Sequence, residues 1–359
     1  MIRRIDTPAE VPLPLLITGV AGVPGYNAMA YFRAKYPGRV VGIRQADNFR
    51  LVEPGVVACN AEDRAGLARL FDQHQFAAVL DCAGNCNLKQ CEAAPEIAWR
   101  INVEGVQNLL SQTMPRGVRL VHLSCDLVYS GADGRGGYVE TDPTDPVTVY
   151  GETMAAGEEI IMAADPAAAI LRISLPMGVS FSGHAGAIDW ITSRFKKSRP
   201  ATLYFDEVRT PTYTDCLNRL YETMLIGAWS GIFHAGARRR LTLYQIGQVI
   251  NRVGGYDPNC LMGTMRHEAG PIPPRAGNVC MDCTKLIDTV GYNPFEPWPH
   301  CDSLMPTHAD WHRERPVGNP YSPAYLLGVL TANPNAKTQH RPAVSAKRYG
   351  KQQKSGVQK

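Results

Sequence analysis

The stretch LPLLITGVAGVPGYNAMAYFRAKY, residues 13–36, decides the fold of this chain. An apolar run of strand length ends in a GxxGxxG pattern, and an amphipathic helical pattern begins at Val23. A strand, a glycine-rich loop and a helix in this order are typical of dinucleotide-binding βαβ units, because glycine lets the backbone approach a pyrophosphate. The helix N-terminus favours the same anion. The predicted cofactor contacts in this loop are Gly19, Val20, Ala21, Gly22, Val23 and Gly25.

Apolar runs and helical patterns alternate through the first 175 residues. The apolar runs predict strands at 13–19, 39–44, 56–59, 76–84, 118–125 and 167–174. The amphipathic patterns predict helices at 23–36, 61–74, 95–114 and 149–163. Strands that alternate with helices predict an α/β fold of Rossmann type, in which a doubly wound parallel sheet carries helices on both faces.

The alternation becomes irregular after Leu175. The patterns predict a helix at 187–197, an extended piece leading into a helix at 202–225, and a strand, a loop and a helix at 231–254. These elements are too few and too broken for a second Rossmann unit, so we expect a smaller substrate lobe across the ends of the sheet strands. The predicted division is a Rossmann domain at 1–175, a substrate lobe at 176–300 and an irregular extension with a disordered basic tail at 301–359.

The end of the second predicted strand bears on the choice of cofactor. An acidic residue at this place would hold the two ribose hydroxyls of NAD, whereas an arginine favours the 2′-phosphate of NADP. The strand ends in Arg44, and Asp47 lies nearby. We therefore expect NADP, with NAD as the second choice.

The net charge of +4 is unevenly distributed along the chain. No acidic residue follows Pro316, and residues 337–359 carry seven Lys and Arg side chains, so the rest of the chain is mildly acidic. A tail of low hydrophobicity and high charge is typical of solvated disorder. Contact of this tail with nucleic acid or another polyanion is the alternative.

The ten cysteines follow the spacing of neither a disulfide framework nor a common metal site. Cys280 and Cys283 form a single CxxC without a second pair, so we predict ordinary thiols and no metal. No apolar run reaches the roughly 18 residues of a membrane helix. The N-terminus lacks a signal-peptide pattern, and we expect a cytoplasmic protein that does not contact a membrane.

Several segments resemble a known family. LSCDLVYSG at 123–131 resembles the STDYVFDG segment of the dTDP-4-dehydrorhamnose reductase family, a branch of the extended short-chain dehydrogenases. Further motifs of that family are similar to the segments 79–109, 146–158, 171–178 and 208–222, in the same order. The regulatory β-subunit of methionine adenosyltransferase is similar in the same segments, so the resemblance does not decide catalysis.

The resemblance implies a tyrosine that protonates the substrate carbonyl as hydride arrives, a lysine four residues later and a Ser or Thr after the fifth strand. The lysine lowers the tyrosine pKa, whose free value of about 10 must fall for efficient transfer. Tyr150 matches the tyrosine, but Met154 stands at the lysine position. Cys125, preceded by Ser124, stands at the Ser/Thr position. Losing one electrostatic contributor typically costs about two to three decades in rate, so these departures count against ordinary catalysis.

The resemblance also implies contacts away from the reacting centre. Besides the glycine loop and Arg44, the implied cofactor contacts are Asn60, Ala61, Cys82, Ala83, Gly84 and Asn102. The implied contacts with a nucleotide-activated sugar are Asn87, Arg209 and Tyr213, since arginine suits a diphosphate. A homodimer formed by the helices after the fourth and fifth strands is expected by analogy.

Two functions fit this sequence. The first is an NAD(P)-dependent reductase or epimerase of a nucleotide-activated 4-keto sugar, with Tyr150 as proton donor and an atypical set of partners. The second is a catalytically silent NADP-binding protein of the same fold that senses the cofactor or regulates a partner. Met154 and Cys125 favour the second function, while the retained motifs of the substrate lobe favour the enzyme.

Overall fold

The computed structural model describes residues 10–183, 185–270, 273–314, 325 and 327–333. The predicted basic tail lies outside these residues. The strands are β1 (Leu15–Ile17), β2 (Val40–Arg44), β3 (Val56–Ala58), β4 (Ala78–Asp81), β5 (Arg119–Cys125), β6 (Ala169–Ile173), β7 (Pro176–Met177), β8 (Ala201–Tyr204), β9 (Val208–Arg209), β10 (Thr212–Tyr213), β11 (Gly231–Ala235), β12 (Leu241–Thr242) and β13 (Leu261–Thr264). The helices are α1 (Val23–Lys35), α2 (Arg64–His74), α3 (Leu88–Ala93), α4 (Pro95–Trp99), α5 (Gly105–Arg116), α6 (Val149–Ala164), α7 (Ala187–Lys196), α8 (Thr214–Ile226), α9 (Leu243–Gly254) and α10 (Thr284–Val290).

Seven strands form one parallel sheet in the order β11-β6-β5-β4-β1-β2-β3. Two apolar cores cover its faces. One core joins β1, β4 and β6 to α1 and α8, and the other joins the opposite side of the sheet to α2, α5 and α6. The prediction of a doubly wound Rossmann-type sheet is therefore confirmed. The chain runs from β1 through β2 to β3 at one edge and then crosses back to β4 on the other side of β1. A topological switch point therefore lies between β1 and β4.

The segment predicted as a separate lobe contributes to the sheet itself. Strand β11 pairs with β6 from Gly231↔Ala169 to Ala235↔Ile173, and α8 packs against α1, β4 and β5. The sheet therefore contains strands from both sides of the predicted domain boundary at residue 175. Sequence periodicity finds β11 as a strand, but only its pairing with a strand some sixty positions earlier assigns it to this sheet.

The rest of the C-terminal half forms short pairs of strands and helices beside the sheet. Strand β7 pairs with β10, β9 with β12, and β8 with β13. Helices α7 and α9 pack against each other and against β8. In the part of the chain that the structure describes, no helix has the length and apolar character needed to cross a membrane.

The helix predicted at 95–114 is interrupted. A π-helical turn at Arg100–Glu104 separates α4 from α5. A π-turn adds a residue to the helical repeat and shifts the faces of the helix on either side of it. Asn102 lies in this turn and is buried, so the irregularity points a polar side chain inward from an otherwise amphipathic helix.

A buried ion pair attaches α6 to the sheet. Arg172 on β6 donates from Nε to Oε1 of Glu158 at 2.9 Å and from Nη2 to Oε2 at 2.6 Å. Both side chains are at most 3% exposed. The third donor atom of Arg172, Nη1, donates to the Tyr129 hydroxyl, so the guanidinium also reaches the loop after β5.

Replacing Arg172 with Leu should destabilise the protein by about 3–5 kcal/mol, because it leaves the Glu158 carboxylate buried without a partner. Urea unfolding measures the effect. The matched control is Arg135→Leu, since Arg135 forms an exposed ion pair with Asp133. We expect the control to unfold at nearly the native midpoint, and equal midpoints for the two variants would contradict the assigned role of Arg172.

Candidate active site

The glycine loop after β1 lies directly against the loop after β4. Gly19 has φ +62°, and a Cβ at this position would stand 2.3 Å from the Cys82 carbonyl oxygen. A Cβ at Gly25 would stand 2.4 Å from the Gly19 carbonyl oxygen. Only glycine permits both approaches, so these two residues set the distance between β1, α1 and the β4 exit.

Gly22 differs from the other two glycines of the loop. The nearest atom to a Cβ placed there, outside its chain neighbours, is the Gly19 carbonyl oxygen at an ordinary 3.5 Å. Gly22 is also the N-cap of α1 and provides no capping side chain, so first-turn N–H groups of α1 keep their capacity to bind an anion. The space beside Gly22 and the uncapped helix start fit a dinucleotide pyrophosphate.

Two predicted cofactor residues organise the loop that follows β2. Arg44 donates from Nε to the Leu51 carbonyl at 2.8 Å and from Nη1 to the Gln45 carbonyl at 3.0 Å. The Oδ1 atom of Asn60 accepts from the Ala46 N–H at 2.8 Å. These contacts hold the loop after β2 beside the loop after β3. Ala61 packs against Gly105 at the start of α5.

The proposed reacting residues meet at the start of α6. Tyr150 and Met154 are one helical turn apart, and both pack in a cluster with Cys125, Leu127 and Val128. The Tyr150 hydroxyl is a neighbour of the Cys125 thiol within this cluster. Met154 is buried, and its sulfur lies near Gly84 in the loop after β4. The methionine therefore fills the lysine position with an apolar side chain.

This environment keeps Tyr150 protonated. Burial raises the pKa of the Tyr150 hydroxyl well above its ordinary value, and the neighbouring thiols Cys125 and Cys86 raise it further. Burial also raises the pKa of the Cys125 thiol to about 12. Both groups are neutral hydrogen-bond donors at working pH, and no contact of Tyr150 in the described residues lowers its pKa as the family lysine would.

Asn102 joins the loop after β4 to α6. Its Oδ1 accepts from the Asn85 N–H at 2.7 Å, and its Nδ2 donates to Thr153 Oγ1 at 2.9 Å. Thr153 precedes Met154, so the π-helical turn holds the start of α6 at a fixed distance from the β4 exit. This contact supports a role for Asn102 in shaping the site.

Ser124 does not join the Tyr150 cluster. Successive residues of a strand point to opposite faces, so the side chains of Ser124 and Cys125 leave β5 in opposite directions. Ser124 is buried, and its Oγ has no hydrogen-bond partner among the described residues. The predicted catalytic contact of Ser124 therefore has no geometric support, since strand alternation selects Cys125.

Arg209 is engaged inside the protein. Its Nε donates to Asp126 Oδ2 at 2.7 Å, and Nη1 lies 3.6 Å from Glu207 Oε1. Arg209 is 6% exposed. Two buried carboxylates require a cation more strongly than an exposed diphosphate would, so the predicted diphosphate contact is replaced by an internal ion pair.

Tyr213 and Asn87 also make contacts inside the protein. The Tyr213 hydroxyl donates to the Val329 carbonyl at 2.9 Å and is fully buried. The Asn87 side chain caps α3 by accepting from the Gln90 N–H at 3.2 Å. Tyr213 is thus part of the core rather than a surface for a sugar. Asn87 lies on the exposed side of the loop after β4.

Asp126 is the functional neighbour that sequence reasoning missed. It follows Cys125 directly, is fully buried, and accepts from Arg209 and from Ser174 Oγ, the latter at 2.6 Å. Burial is the largest cause of the raised pKa values of Cys125 and Tyr150, and the charge of Asp126 raises both values further. An acidic residue immediately after a buried strand was the available signal.

All ten cysteines are free thiols, and Cys280 and Cys283 are both buried. Among the residues that the structure describes, no group of three or more His, Cys, Asp or Glu side chains could hold a metal ion.

The fold and the site define a nucleotide-cofactor-binding protein of the extended short-chain dehydrogenase/reductase type. They combine a seven-stranded parallel sheet, a glycine loop at its switch point and a Tyr150 cluster at the neighbouring strand ends. The sequence model of the family described as the RmlD substrate binding domain matches residues 14–301. The chain belongs to this family, as the resemblance in its motifs predicted.

Curated relatives include both a reductase and a subunit of methionine adenosyltransferase. A dTDP-4-keto-6-deoxy-D-glucose reductase of Streptomyces niveus is 27% identical over 245 residues, which cover 68% of this chain and 79% of the relative. The methionine adenosyltransferase 2 subunit beta of Danio rerio is 24% identical over 279 residues, which cover 76% of this chain and 83% of the relative.

Solved structures share the fold. A dTDP-4-dehydrorhamnose reductase of Bacillus anthracis in complex with NADP has a TM-score of 0.65 at 18% identity, covering 78% of this chain and 94% of that chain. A UDP-glucose 4-epimerase of Thermus thermophilus complexed with NAD has a TM-score of 0.69 at 22% identity, covering 83% and 98%.

Replacing Gly22 with Ala should weaken dinucleotide binding by at least about tenfold while leaving the melting temperature near the native value, because the added methyl meets the ligand rather than the protein. Gly19→Ala is the matched comparison and should lower the melting temperature strongly, because its methyl collides with the Cys82 carbonyl. Titration calorimetry and thermal unfolding measure the two effects. A strongly destabilised Gly22→Ala protein would contradict the assignment of that open space to a ligand.

Proposed function

We propose that this chain is an NADP-dependent reductase, or epimerase, of a nucleotide-activated 4-keto sugar. The observation that carries the proposal is the cluster of Tyr150 and Cys125 after β5 in a fold whose α1 has an uncapped start at the glycine loop. The matching family model and the reductase named among the relatives support the substrate class. The internal engagement of Arg209 and Tyr213 leaves the sugar contacts to other residues.

The residues of the chain have distinct roles in this proposal. The loop at Gly22 and the start of α1 would hold the pyrophosphate of NADP, whose nicotinamide would be the source of the hydride. Tyr150 donates its hydroxyl proton to the carbonyl oxygen, and Cys125 packs beside it in the same cluster. Because burial raises the Tyr150 pKa, proton donation is unfavourable, and we expect slow turnover.

The test is NADPH consumption with a dTDP-4-keto-6-deoxy sugar by the native protein, Tyr150→Phe and Met154→Lys. Tyr150→Phe should abolish turnover, and Met154→Lys should raise it by about two decades, because an ammonium group one turn away stabilises tyrosinate. Met154→Leu is the matched control and should leave the rate unchanged. Native turnover that persists in Tyr150→Phe would remove Tyr150 from the proposal.

A second candidate function is a catalytically silent cofactor-binding protein that regulates a partner. The specific observation in its favour is the buried Met154 at the lysine position, together with the raised Tyr150 pKa. The methionine adenosyltransferase subunit among the relatives supports the same function. Intact NADPH binding without turnover in the native protein, and turnover in Met154→Lys, would select this function over the reductase.

The preference for NADP depends on Arg44 at the end of β2. Arg44→Ala should weaken NADPH binding by about tenfold more than NADH binding, because only NADPH carries the 2′-phosphate. The carbonyl contacts of Arg44 also order the loop after β2, so Arg44→Ala is expected to weaken NADH binding slightly as well. Equal losses for the two cofactors would assign Arg44 to loop structure alone and favour NAD.

The homodimer, the cytoplasmic location and the polyanion contact of the basic tail remain predictions. The predicted dimer interface comprises α4 and α5, which follow β4, and α6, which follows β5. Trp99 of α4 and Met114 of α5 are exposed. Equilibrium sedimentation measures the oligomeric state directly.

A further inference from the structure

A chain of buried hydrogen bonds connects β5, β4 and β1 below the glycine loop. His122 on β5 and Asp81 on β4 are register partners, and His122 Nδ1 lies 2.7 Å from Asp81 Oδ2. The other carboxylate oxygen of Asp81 accepts from Thr18 Oγ1. His122, Asp81 and Thr18 are each at most 3% exposed.

Thr18 extends this chain to the loops that flank the candidate cofactor site. Its Oγ1 accepts from the N–H groups of Cys82 and Ala83, both at 2.9 Å. Thr18 immediately precedes Gly19, whose backbone lies against the Cys82 carbonyl. Because the Thr18 hydroxyl donates to Asp81, its lone pairs face the loop after β4. The carboxylate thus fixes the orientation in which Thr18 joins the two loops.

The charge on Asp81 depends on its partners. Burial alone would oppose ionisation of Asp81. The hydrogen bond and charge interaction with His122, together with the hydrogen bond from the Thr18 hydroxyl, outweigh burial and hold the pKa of Asp81 below its ordinary value. Cys82 is the other titratable neighbour, and burial followed by the Asp81 charge raises its thiol pKa well above the ordinary value. The ring atom Nε2 of His122 is buried without a hydrogen-bond partner in the described residues.

We propose that His122 is a positioning residue for the cofactor site, acting through Asp81 and Thr18 to hold the β1 and β4 loops in their binding geometry. The inference rests on the proposed cofactor binding and goes beyond it, because it assigns a function to a side chain that contacts neither cofactor nor substrate. Its consequence is acid tolerance. An ionised Asp81 accepts a hydrogen bond from the Thr18 hydroxyl. A protonated Asp81 would itself be a donor that competes with Thr18 for an acceptor, and the Thr18 hydroxyl would lose its fixed orientation.

The sign of the pH effect follows from the direction of the Asp81 pKa. Because the pKa of Asp81 is lowered, its carboxylate contributes fully at every pH above the ordinary carboxyl pKa. The contribution is lost only as the pH falls below that value. The native protein should therefore bind NADPH with nearly constant affinity between pH 8 and pH 5. Removal of His122 leaves the Thr18 hydroxyl and the Ala83 N–H as the remaining contacts that oppose burial, so the Asp81 pKa should rise and move the loss into this window.

The experiment measures the NADPH Kd from pH 8 to pH 5 for the native chain, His122→Leu and His122→Asn. In His122→Leu, Kd should rise toward about tenfold per pH unit below the raised Asp81 pKa, as expected for one linked proton. His122→Asn retains an N–H donor for Asp81 and should keep the flat native profile. The matched control is His267→Leu, which removes an exposed histidine on the surface.

Each outcome decides the inference. Parallel pH profiles for the native chain and His122→Leu, or equal weakening at every pH in both His122 variants, would overturn it. If His122→Leu does not fold, Asp81→Asn provides the same test. Its side chain is neutral at every pH, so it should weaken NADPH binding by the same factor across the whole pH range. A pH-dependent loss in Asp81→Asn would overturn the inference. A native chain that binds neither NADPH nor NADH would overturn the proposed function and this inference together.

Discussion

The backbone contact between the exits of β1 and β4 determines where the candidate site lies. Gly19 approaches the Cys82 carbonyl so closely that any Cβ would collide with it, and Gly25 brings α1 equally close to Gly19. These contacts place the start of α1 at the switch point of the sheet, where the strand connections diverge. The position of the anion-binding helix end therefore depends on two residues that have no side chain.

The fold and the cofactor loop were predictable because their signals are local. Strand and helix periodicity, together with the GxxGxxG spacing, depend on residues within one or two turns of each other. The end of β2 at Arg44 and the start of α6 near Tyr150 were found in the same way, since both follow from element boundaries. The assignment of Tyr150 and Cys125 to one site came from the family resemblance and not from a local pattern.

The errors involve partners that are distant in sequence. Arg209 was assigned to a diphosphate because arginine suits one, but in the structure it pairs in the interior with Asp126, which lies 83 positions earlier. Tyr213 is buried by a segment 116 residues later. The edge strand β11 joins the sheet by pairing with β6. None of these contacts leaves a periodic trace in the sequence, so only the assembled structure identifies them.

The carboxylates that flank the candidate site are each paired within the protein. Asp81 is held by His122, Asp126 by Arg209, and Glu158 by Arg172. A lysine at position 154 would add a cation beside Tyr150, whereas methionine adds apolar volume to a cluster that already contains Cys125. The substitution therefore changes the chemistry of the site without disturbing its charge pairs. Burial keeps the Tyr150 hydroxyl protonated, and the neighbouring thiols raise its pKa further. Selection for binding would preserve the glycine loop, Tyr150 and the buried pairs while tolerating this change, and selection for fast proton transfer would not.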